Sequence, residues 1–136
     1  MASERDNKAI EAARAARMRA HAPYSGKQVG AAIVGADGRI FAACNVENAD
    51  SALRICAERA AVTQAVAAGL RNFELIVVVS PDGRFWPPCD LCRKVIEEFS
   101  TNPRLILVAD SGRTHSAHLV DLPTLPFSAD GSAPTT

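Results

Sequence analysis

Three cysteines and one glutamate have the types and the spacing of a metal site that performs chemistry. Cys56 and Glu58 are separated by one residue, and Cys89 and Cys92 follow well downstream as a second cysteine motif. Zinc(II) takes four ligands, and a catalytic zinc site leaves one of the four positions to water. Three thiolates would fill the other three positions, which leaves the Glu58 carboxylate to handle the protons of that water. The spacing therefore predicts a catalytic site with one Zn²⁺ per chain.

Both cysteine motifs are predicted to begin helices, and this position suits a metal-binding thiolate. A helix N-terminus carries partial positive charge and free amide donors, which favour the thiolate over the thiol. Arg59 and Arg93 each directly follow a site residue. We expect one or both to offset the negative charge of the site and to donate hydrogen bonds to the sulfurs. The alternative for each arginine is an exposed helix face.

The elements that must position these residues alternate between helix and strand. Apolar runs, Pro and Gly breaks and the Asp37-Gly38 hairpin signal predict helices over residues 3–21, 55–68 and 90–99, and strands over residues 29–34, 39–46, 75–80 and 105–108. A weaker element is expected after the last strand. This alternation predicts an α/β layered domain.

Size and charge limit what the domain can be. We place one domain at residues 1–127 of the 136-residue chain, followed by a small polar tail at 128–136 that is expected to be disordered. The 15 basic and 15 acidic residues cancel, which disfavours a nucleic-acid partner. No apolar run is long enough to cross a membrane. Acidic residues in the first helix disfavour a transit peptide, so we expect a cytoplasmic protein with metal-binding cysteines.

The fourth cysteine and the three histidines are predicted to have no ligand role. Cys44 falls in a predicted strand and lacks the paired spacing of structural zinc sites, so we interpret it as a small buried side chain. His115 and His118 are expected at the surface, and His21 ends the first helix. The polar loop at residues 45–51 fits a ligand-binding edge and a solvated connection equally well.

The two motifs together resemble a known family. Cys56-Ala57-Glu58 followed by Pro88-Cys89-x-x-Cys92 is similar to the signature of zinc-dependent cytidine deaminases, and the all-cysteine form resembles the small tetrameric members. Matching segments extend the resemblance over roughly residues 10–127; they lie at residues 22–25, 29–32, 37–41, 45–49, 55–59, 92–93 and 98–99. The resemblance implies a three-layer α/β/α domain with a five-stranded mixed sheet. It also implies a homotetramer with active sites near the subunit interfaces.

The resemblance further implies a role for individual site residues. Glu58 would move protons from the metal-bound water to ring nitrogen 3 of a pyrimidine and to the amine that leaves carbon 4. Asn45 and Glu47 match the residues that hold the sugar hydroxyls. Ala57 and the backbone carbonyl of Pro87 would contact the substrate, and the Pro87 carbonyl would face its amino group.

Several departures from the family pattern fall on the expected walls of the pocket. Lys27 stands where the family usually has a phenylalanine that contacts the base, so Lys27 is a candidate substrate-binding residue. Trp86 either replaces the lost ring or packs in the core. The other departures, together with a half-visible C-terminal motif, are at Asp50, Ser51, Ala52, Asp90, Leu91, Lys94 and Leu125-Pro126-Phe127. These departures therefore bear on the identity of the substrate more than on the reaction.

The resulting hypothesis is hydrolysis of cytidine or deoxycytidine to uridine or deoxyuridine with release of ammonia, as in pyrimidine salvage. A first alternative is another amino-heterocycle nucleoside or analogue, as in the similar blasticidin S deaminases. A binding module that zinc stabilises without catalysis is a weaker alternative. A nucleic-acid editor is the weakest, because it would need a basic groove for the backbone.

Overall fold

One parallel and three antiparallel strand pairs make up the sheet. The computed structural model describes residues 3–122. The strands are β1 (Gly30–Gly35), β2 (Ile40–Cys44), β3 (Phe73–Val79), β4 (Arg104–Val108) and β5 (Thr114–His118). Their order in the sheet is β2-β1-β3-β4-β5, with β3 and β4 parallel and the other neighbours antiparallel. The expected five-stranded mixed sheet is confirmed.

Three helices and two 3₁₀ turns complete the described chain. The helices are α1 (Glu4–Arg17), α2 (Ala57–Ala67) and α3 (Asp90–Glu97), and the turns are at Ser51–Leu53 and Leu119–Asp121. Ser3 and Asp6 form a reciprocal capping box at the start of α1. The crossover between the parallel strands β3 and β4 contains α3. No described helix has the length and apolar character needed to span a membrane.

Apolar side chains on the two faces of the sheet form two separate cores. Because successive side chains of a strand point to opposite faces, neighbouring residues join different cores. Ile33, Ile76 and Leu105 face α2 and α3, whereas Val34 and Val77 face α1. This arrangement confirms the three-layer α/β/α architecture.

The packing of α1 against β1 is close enough to require a glycine. A Cβ atom placed on Gly30 would lie 2.1 Å from the Ala13 carbonyl oxygen and 2.9 Å from the Arg17 Cβ atom. Real Cβ atoms do not make contacts this short with a backbone oxygen. The small side chains of Ala9 and Ala13 on α1 complete this close approach.

Three helix boundaries differ from the sequence-based expectation by at least two residues. α3 ends at Glu97 rather than at residue 99, and the other two differences come from backbone pairing. α1 ends at Arg17 rather than at residue 21, because the His21 N–H donates to Asn45 O over 3.1 Å and its carbonyl accepts from Glu47 N over 2.7 Å. α2 begins at Ala57 rather than at residue 55, because Ile55 and Val46 exchange two backbone hydrogen bonds of 2.9 Å. These bonds fix the chain just before Cys56.

The C-terminal part of the fold was predicted least completely from the sequence. β5 was expected only as a weaker element, and its residues Thr114–His118 are mostly exposed. His115 and His118 lie on this strand at the surface, as predicted. The motif at Leu125–Phe127, the domain end at residue 127 and the tail at 128–136 lie outside the described residues and stay predictions.

Candidate metal centre and substrate cavity

The three predicted ligand cysteines come together at the starts of two helices. Cys56 is the N-cap residue of α2, Cys89 is the N-cap residue of α3, and Cys92 lies in the first turn of α3. Their sulfur atoms all lie within 4.8 Å of one another. A tetrahedral zinc ion with Zn–S bonds of about 2.3 Å holds its sulfurs about 3.8 Å apart. The cluster therefore fits zinc with three protein ligands and one remaining position.

Hydrogen bonds within the cluster favour ionisation of one sulfur. Side-chain bonds from Cys56 and Cys92, together with the backbone N–H groups of Cys92 and Leu91, hold the pKa of Cys89 far below that of an ordinary thiol. The hydrogen bond shared with Cys89 raises the pKa of half-buried Cys56, and those shared with Cys56 and Cys89 raise the pKa of buried Cys92. A metal ion that binds the three sulfurs takes the place of the thiol protons, since zinc binds thiolates.

The Glu58 carboxylate lies in the first turn of α2 and is 7% exposed. Burial raises its pKa to about 7; the Cys89 charge acts in the same direction, and the Arg59 charge opposes it. The Glu58 charge in turn raises the pKa of Cys56 and Cys92, as expected for close neighbours. The structure thus brings the predicted catalytic carboxylate and the predicted metal ligands into one site shielded from bulk water.

The two arginines that follow site residues have different surroundings. Arg59 donates from Nη2 to the Arg54 carbonyl over 2.9 Å, and its buried Nε has no hydrogen-bond partner within residues 3–122. Arg93 donates from Nη1 to the Leu122 carbonyl over 2.8 Å, and its Nε lies 3.8 Å from Glu97. These contacts direct Arg93 toward the end of the described chain. Arg59 is the better candidate for a donor to the sulfurs.

A cavity of about 450 Å³ lies at the loops that precede α2 and β1. It includes two predicted substrate-binding residues, Lys27 and Glu47. Its described lining residues are Tyr24, Ser25, Lys27, Glu47, Asn48, Ala49, Ser51 and Arg54. The polar loop at residues 45–51 therefore contributes to a cavity wall, which supports the ligand-binding interpretation over a plain connection.

Asn45 and Glu47 hold the loop that carries Lys27. Asn45 Oδ1 accepts from Val29 N over 2.8 Å, and Asn45 Nδ2 donates to the Lys27 carbonyl over 2.9 Å. Glu47 Oε1 accepts from the backbone N–H groups of Tyr24 and Ser25 over 2.9 and 3.2 Å. Glu47 Oε2 accepts from the Ser25 hydroxyl. Burial disfavours the charged form, but these bonds and the Arg54 charge outweigh it and lower the pKa of Glu47.

The Lys27 ammonium lies over the ring of Trp86, 5.5 Å from its centroid. Trp86 is 8% exposed and belongs to the core that faces α2 and α3. Its indole N–H donates to Asp82 Oδ1 over 3.1 Å. Trp86 therefore packs in the core and also contacts the Lys27 side chain.

The remaining candidates have less direct contacts. Ala57 is fully buried at the start of α2, and Pro87 is buried between Trp86 and the cysteine motif. Asp50 accepts from Ala52 N and so caps the 3₁₀ turn, while Asp90 Oδ1 is buried without a partner among the residues described. Cys44 is half-buried in β2 and does not belong to the sulfur cluster, in agreement with the interpretation from sequence.

Ser25, Arg54 and Asp82 were not identified from the sequence. Arg54 carried a usable signal, because a cation two residues before a ligand cysteine must lie near the site. No comparable sequence signal identified Asp82 or Ser25 as a functional residue. Their partners are known only once the loops fold together.

The chain was also compared with known proteins. A family model described as "Cytidine and deoxycytidylate deaminase zinc-binding region" matches residues 3–109. A probable cytidine deaminase of Dictyostelium discoideum is 45% identical over 100 residues, which are 73% of this chain and 68% of that protein. The crystal structure of cytidine deaminase from Burkholderia pseudomallei has a TM-score of 0.81 and 42% identity, and covers 88% of this chain and 97% of its own. A blasticidin-S deaminase of Bacillus cereus is 28% identical over 107 residues, 73% of this chain and 76% of that protein.

Proposed function

This chain belongs to the cytidine and deoxycytidylate deaminase family, and we propose on that premise that it hydrolyses cytidine or deoxycytidine to uridine or deoxyuridine and ammonia. The observation that carries the proposal is the position of Glu58. Its buried carboxylate stands in the first turn of α2, beside a cluster of three sulfurs that fits zinc. A site built only to hold structural zinc does not need this carboxylate.

The chemistry divides between the metal and the carboxylate. Zinc bound by Cys56, Cys89 and Cys92 would supply Lewis acidity that lowers the pKa of water towards about 7. Glu58 would accept one proton of the attacking water and deliver it to ring nitrogen 3. It would then carry the second proton to the amino group, which leaves carbon 4 as ammonia. The product keeps the water oxygen and the proton on nitrogen 3, so the atoms balance.

Other side chains of the site would hold and orient the nucleoside. Asn45 uses one of its two N–H groups and one oxygen lone pair for the loop, so capacity remains for a sugar hydroxyl. Glu47 lines the cavity, and Asn45 holds the loop that carries Lys27. We assign the Pro87 carbonyl and Ala57 to the amino group and the base, and the Arg59 guanidinium to the sulfurs.

Ammonia release tests the reaction. Cytidine, deoxycytidine, adenosine, guanosine and blasticidin S are offered in parallel to the zinc-loaded protein, and release from the first two is expected. Release from blasticidin S alone would favour the alternative substrate class, which the 28% identical blasticidin-S deaminase and the altered cavity wall support.

Replacement of Glu58 by Gln is expected to lower turnover by at least 10³-fold, because general acid–base catalysis alone contributes about 10²–10⁴-fold. Zinc content by atomic absorption should stay at one ion per chain. The matched control is Glu97→Gln, an exposed glutamate on α3. Turnover that survives Glu58→Gln would exclude the carboxylate as proton carrier and favour the binding-module alternative.

We further propose that the chain forms a homotetramer in the cytoplasm and acts in pyrimidine salvage. Thiolate ligands persist in a reducing compartment, which supports the location. Leu53 and Ile55 beside the cavity are exposed, which supports a covered surface at this edge. Static light scattering tests the tetramer, and a monomeric mass would exclude it.

A further inference from the structure

The connection between β3 and α3, at residues 80–89, ends at the predicted ligand Cys89. Pro87 and Pro88 directly precede that cysteine. Proline fixes the backbone angle φ at about −65°, so consecutive prolines form a stiff, extended stretch. A shift of the chain just before the prolines is therefore transmitted to Cys89, because the prolines leave little backbone rotation to absorb it. Contacts made earlier in the β3–α3 connection thus bear on the position of a metal ligand.

The turn between β4 and β5, at residues 109–113, contacts this connection through Arg113. The guanidinium donates from Nη2 to the Gly83 carbonyl over 2.8 Å, and it lies over the Phe85 ring, 4.6 Å from the centroid. Phe85 is 9% exposed and belongs to the core that faces α2 and α3. Arg113 therefore covers a nearly buried ring and also holds the backbone two residues before that ring.

The β4–β5 turn is itself well fixed. The Gly112 N–H donates to the Ala109 carbonyl over 2.9 Å, and the Ala109 N–H donates to the Arg113 carbonyl over 2.8 Å. Gly112 has φ of 95°, in the left-handed region that favours glycine. The Asp110 N–H donates to the Asp82 carbonyl over 2.8 Å, which joins the turn to the connection. The Arg113 side chain therefore extends from a preorganised backbone.

Arg17 of α1 connects the two parts from the other side. It donates from Nη1 to the Ser80 carbonyl over 2.7 Å, at the beginning of the connection, and from Nη2 to Asp110 Oδ1 over 2.7 Å, in the turn. The turn, the connection and α1 thus form one hydrogen-bonded unit. Arg113 extends this unit to Phe85, which stands four residues before Cys89.

We propose that Arg113 is a positioning residue for the metal centre, which holds the β3–α3 connection so that Cys89 keeps its place beside Cys56 and Cys92. Arg113 acts through Gly83 and Phe85, the two residues that it contacts. A guanidinium suits this task, since it stacks on an aromatic face and donates hydrogen bonds at the same time. This inference rests on the proposed function, because it concerns the metal centre of the same site.

The rate of zinc loss tests the positioning role without turnover. The zinc-loaded protein is mixed with an excess of the chromogenic chelator 4-(2-pyridylazo)resorcinol at a temperature well below unfolding, and the absorbance of the zinc–chelator complex is followed. Arg113→Ala is expected to lose zinc about fivefold faster than the parent protein. The reason is that each of the two lost contacts is worth a factor of about 2 to 10 at an exposed position.

Arg39→Ala is the matched control, because Arg39 makes the same two kinds of contact elsewhere. Its guanidinium lies over the Phe41 ring, 5.6 Å from the centroid, and donates to the Ala68 carbonyl over 3.0 Å. These contacts join the turn before β2 to the far end of α2. Arg39→Ala should therefore lose zinc at the parent rate. Differential scanning calorimetry of both variants shows how much each replacement lowers the melting temperature.

Two results would overturn the positioning role: loss of zinc from Arg113→Ala at the parent rate, or an equal acceleration by Arg39→Ala. Ammonia release from cytidine by the parent protein is measured separately. Release by the parent together with unchanged zinc loss from Arg113→Ala overturns the positioning role and leaves the reaction intact. Faster zinc loss from Arg113→Ala alone, without release from cytidine by the parent, supports the positioning role and overturns the proposed reaction.

Discussion

The Asp82 side chain holds the segment that leads to the cysteine motif. Its Oδ1 accepts from the Arg84 backbone N–H over 2.9 Å and from the Trp86 indole over 3.1 Å. The segment that it holds continues through Pro87 and Pro88 to Cys89. We therefore infer that Asp82 is a positioning residue, because its side chain orders the segment that leads to the predicted ligand Cys89.

Replacement of Asp82 by Ala should loosen this segment. We expect the free energy of unfolding to fall by about 1–3 kcal/mol, since the Arg84 backbone N–H, the Arg84 guanidinium and the Trp86 indole lose a charged acceptor. Trp86 is the one tryptophan of the chain, so its fluorescence should shift to longer wavelength as the ring gains access to water. Urea denaturation and emission spectra measure both effects. An unchanged emission maximum would contradict the positioning role, and Asp121→Ala, at an exposed aspartate, is the control.

At the same scale, the sequence predicted the reactive residues better than the residues that support them. The reactive residues could be predicted because a short spacing at a helix start limits where the side chains can point. They are Cys56, Glu58, Cys89 and Cys92. The hydrogen bonds of Asn45 and Glu47 join positions 16 to 23 residues apart. Such partners depend on how two loops meet, and no local pattern encodes that.

Among the elements, α1 is joined to the sheet by an ion pair between buried Asp6 and partly exposed Arg104, as well as by its apolar face. Asp6 accepts from Arg104 Nη2 over 2.7 Å and from Ser3 N over 3.3 Å. Burial disfavours the charged carboxylate, but the hydrogen bonds from Arg104 and Ser3 outweigh it and hold the pKa of Asp6 below its ordinary value. The pair thus connects the start of α1 to the start of β4.

This depressed pKa predicts an acid-sensitive contribution to stability. A group with a lowered pKa in the folded state stabilises fully above its unfolded value of about 3.9, and the contribution is lost as the pH falls through the folded value. Asp6→Asn should cost about 2 kcal/mol at pH 7, because Arg104 and the Ser3 N–H lose a charged acceptor and keep only a neutral amide oxygen. Stability from urea melts at pH 7 and pH 3 checks this. An equal cost at both pH values would contradict it.

The elements with strong apolar patterns were the ones that could be predicted. β1 and β3 are buried on both faces and appear in the sequence as continuous apolar runs. β5 was predicted only as a weaker element because an exposed edge strand such as Thr-His-Ser-Ala-His has no buried face to impose a pattern. The predicted end of α1 was too late and the predicted start of α2 was too early, since the backbone pairing at His21 and Ile55 is not visible in the composition.

In the whole molecule, the metal ligands belong to two separate connections. Cys56 follows the connection from β2, whereas Cys89 and Cys92 follow the connection from β3. A bound zinc ion would therefore join the start of α2 to the start of α3, which are otherwise held together by the sheet. Metal binding of this kind stabilises the folded state, because the unfolded chain has no preformed site.

Removal of zinc is expected to lower the melting temperature. At a free zinc concentration about 1,000 times the Kd, binding contributes about 4 kcal/mol to folding. Differential scanning calorimetry with and without a chelator measures the difference, which Cys89→Ser should abolish. Cys44→Ala should keep the zinc-dependent part of the stability, because Cys44 lies outside the cluster. Equal melting temperatures for the loaded and stripped protein would exclude a stabilising metal.

The loop of residues 22–29 is fastened to the end of β2 by the side chains of Asn45 and Glu47. The sulfur cluster is fastened elsewhere, to the starts of α2 and α3. Selection can therefore vary the loop as one exchangeable unit while the metal ligands keep their supports. Exchange of this short segment between relatives, in evolution or by engineering, is therefore expected to change substrate specificity while the metal site remains intact at every step.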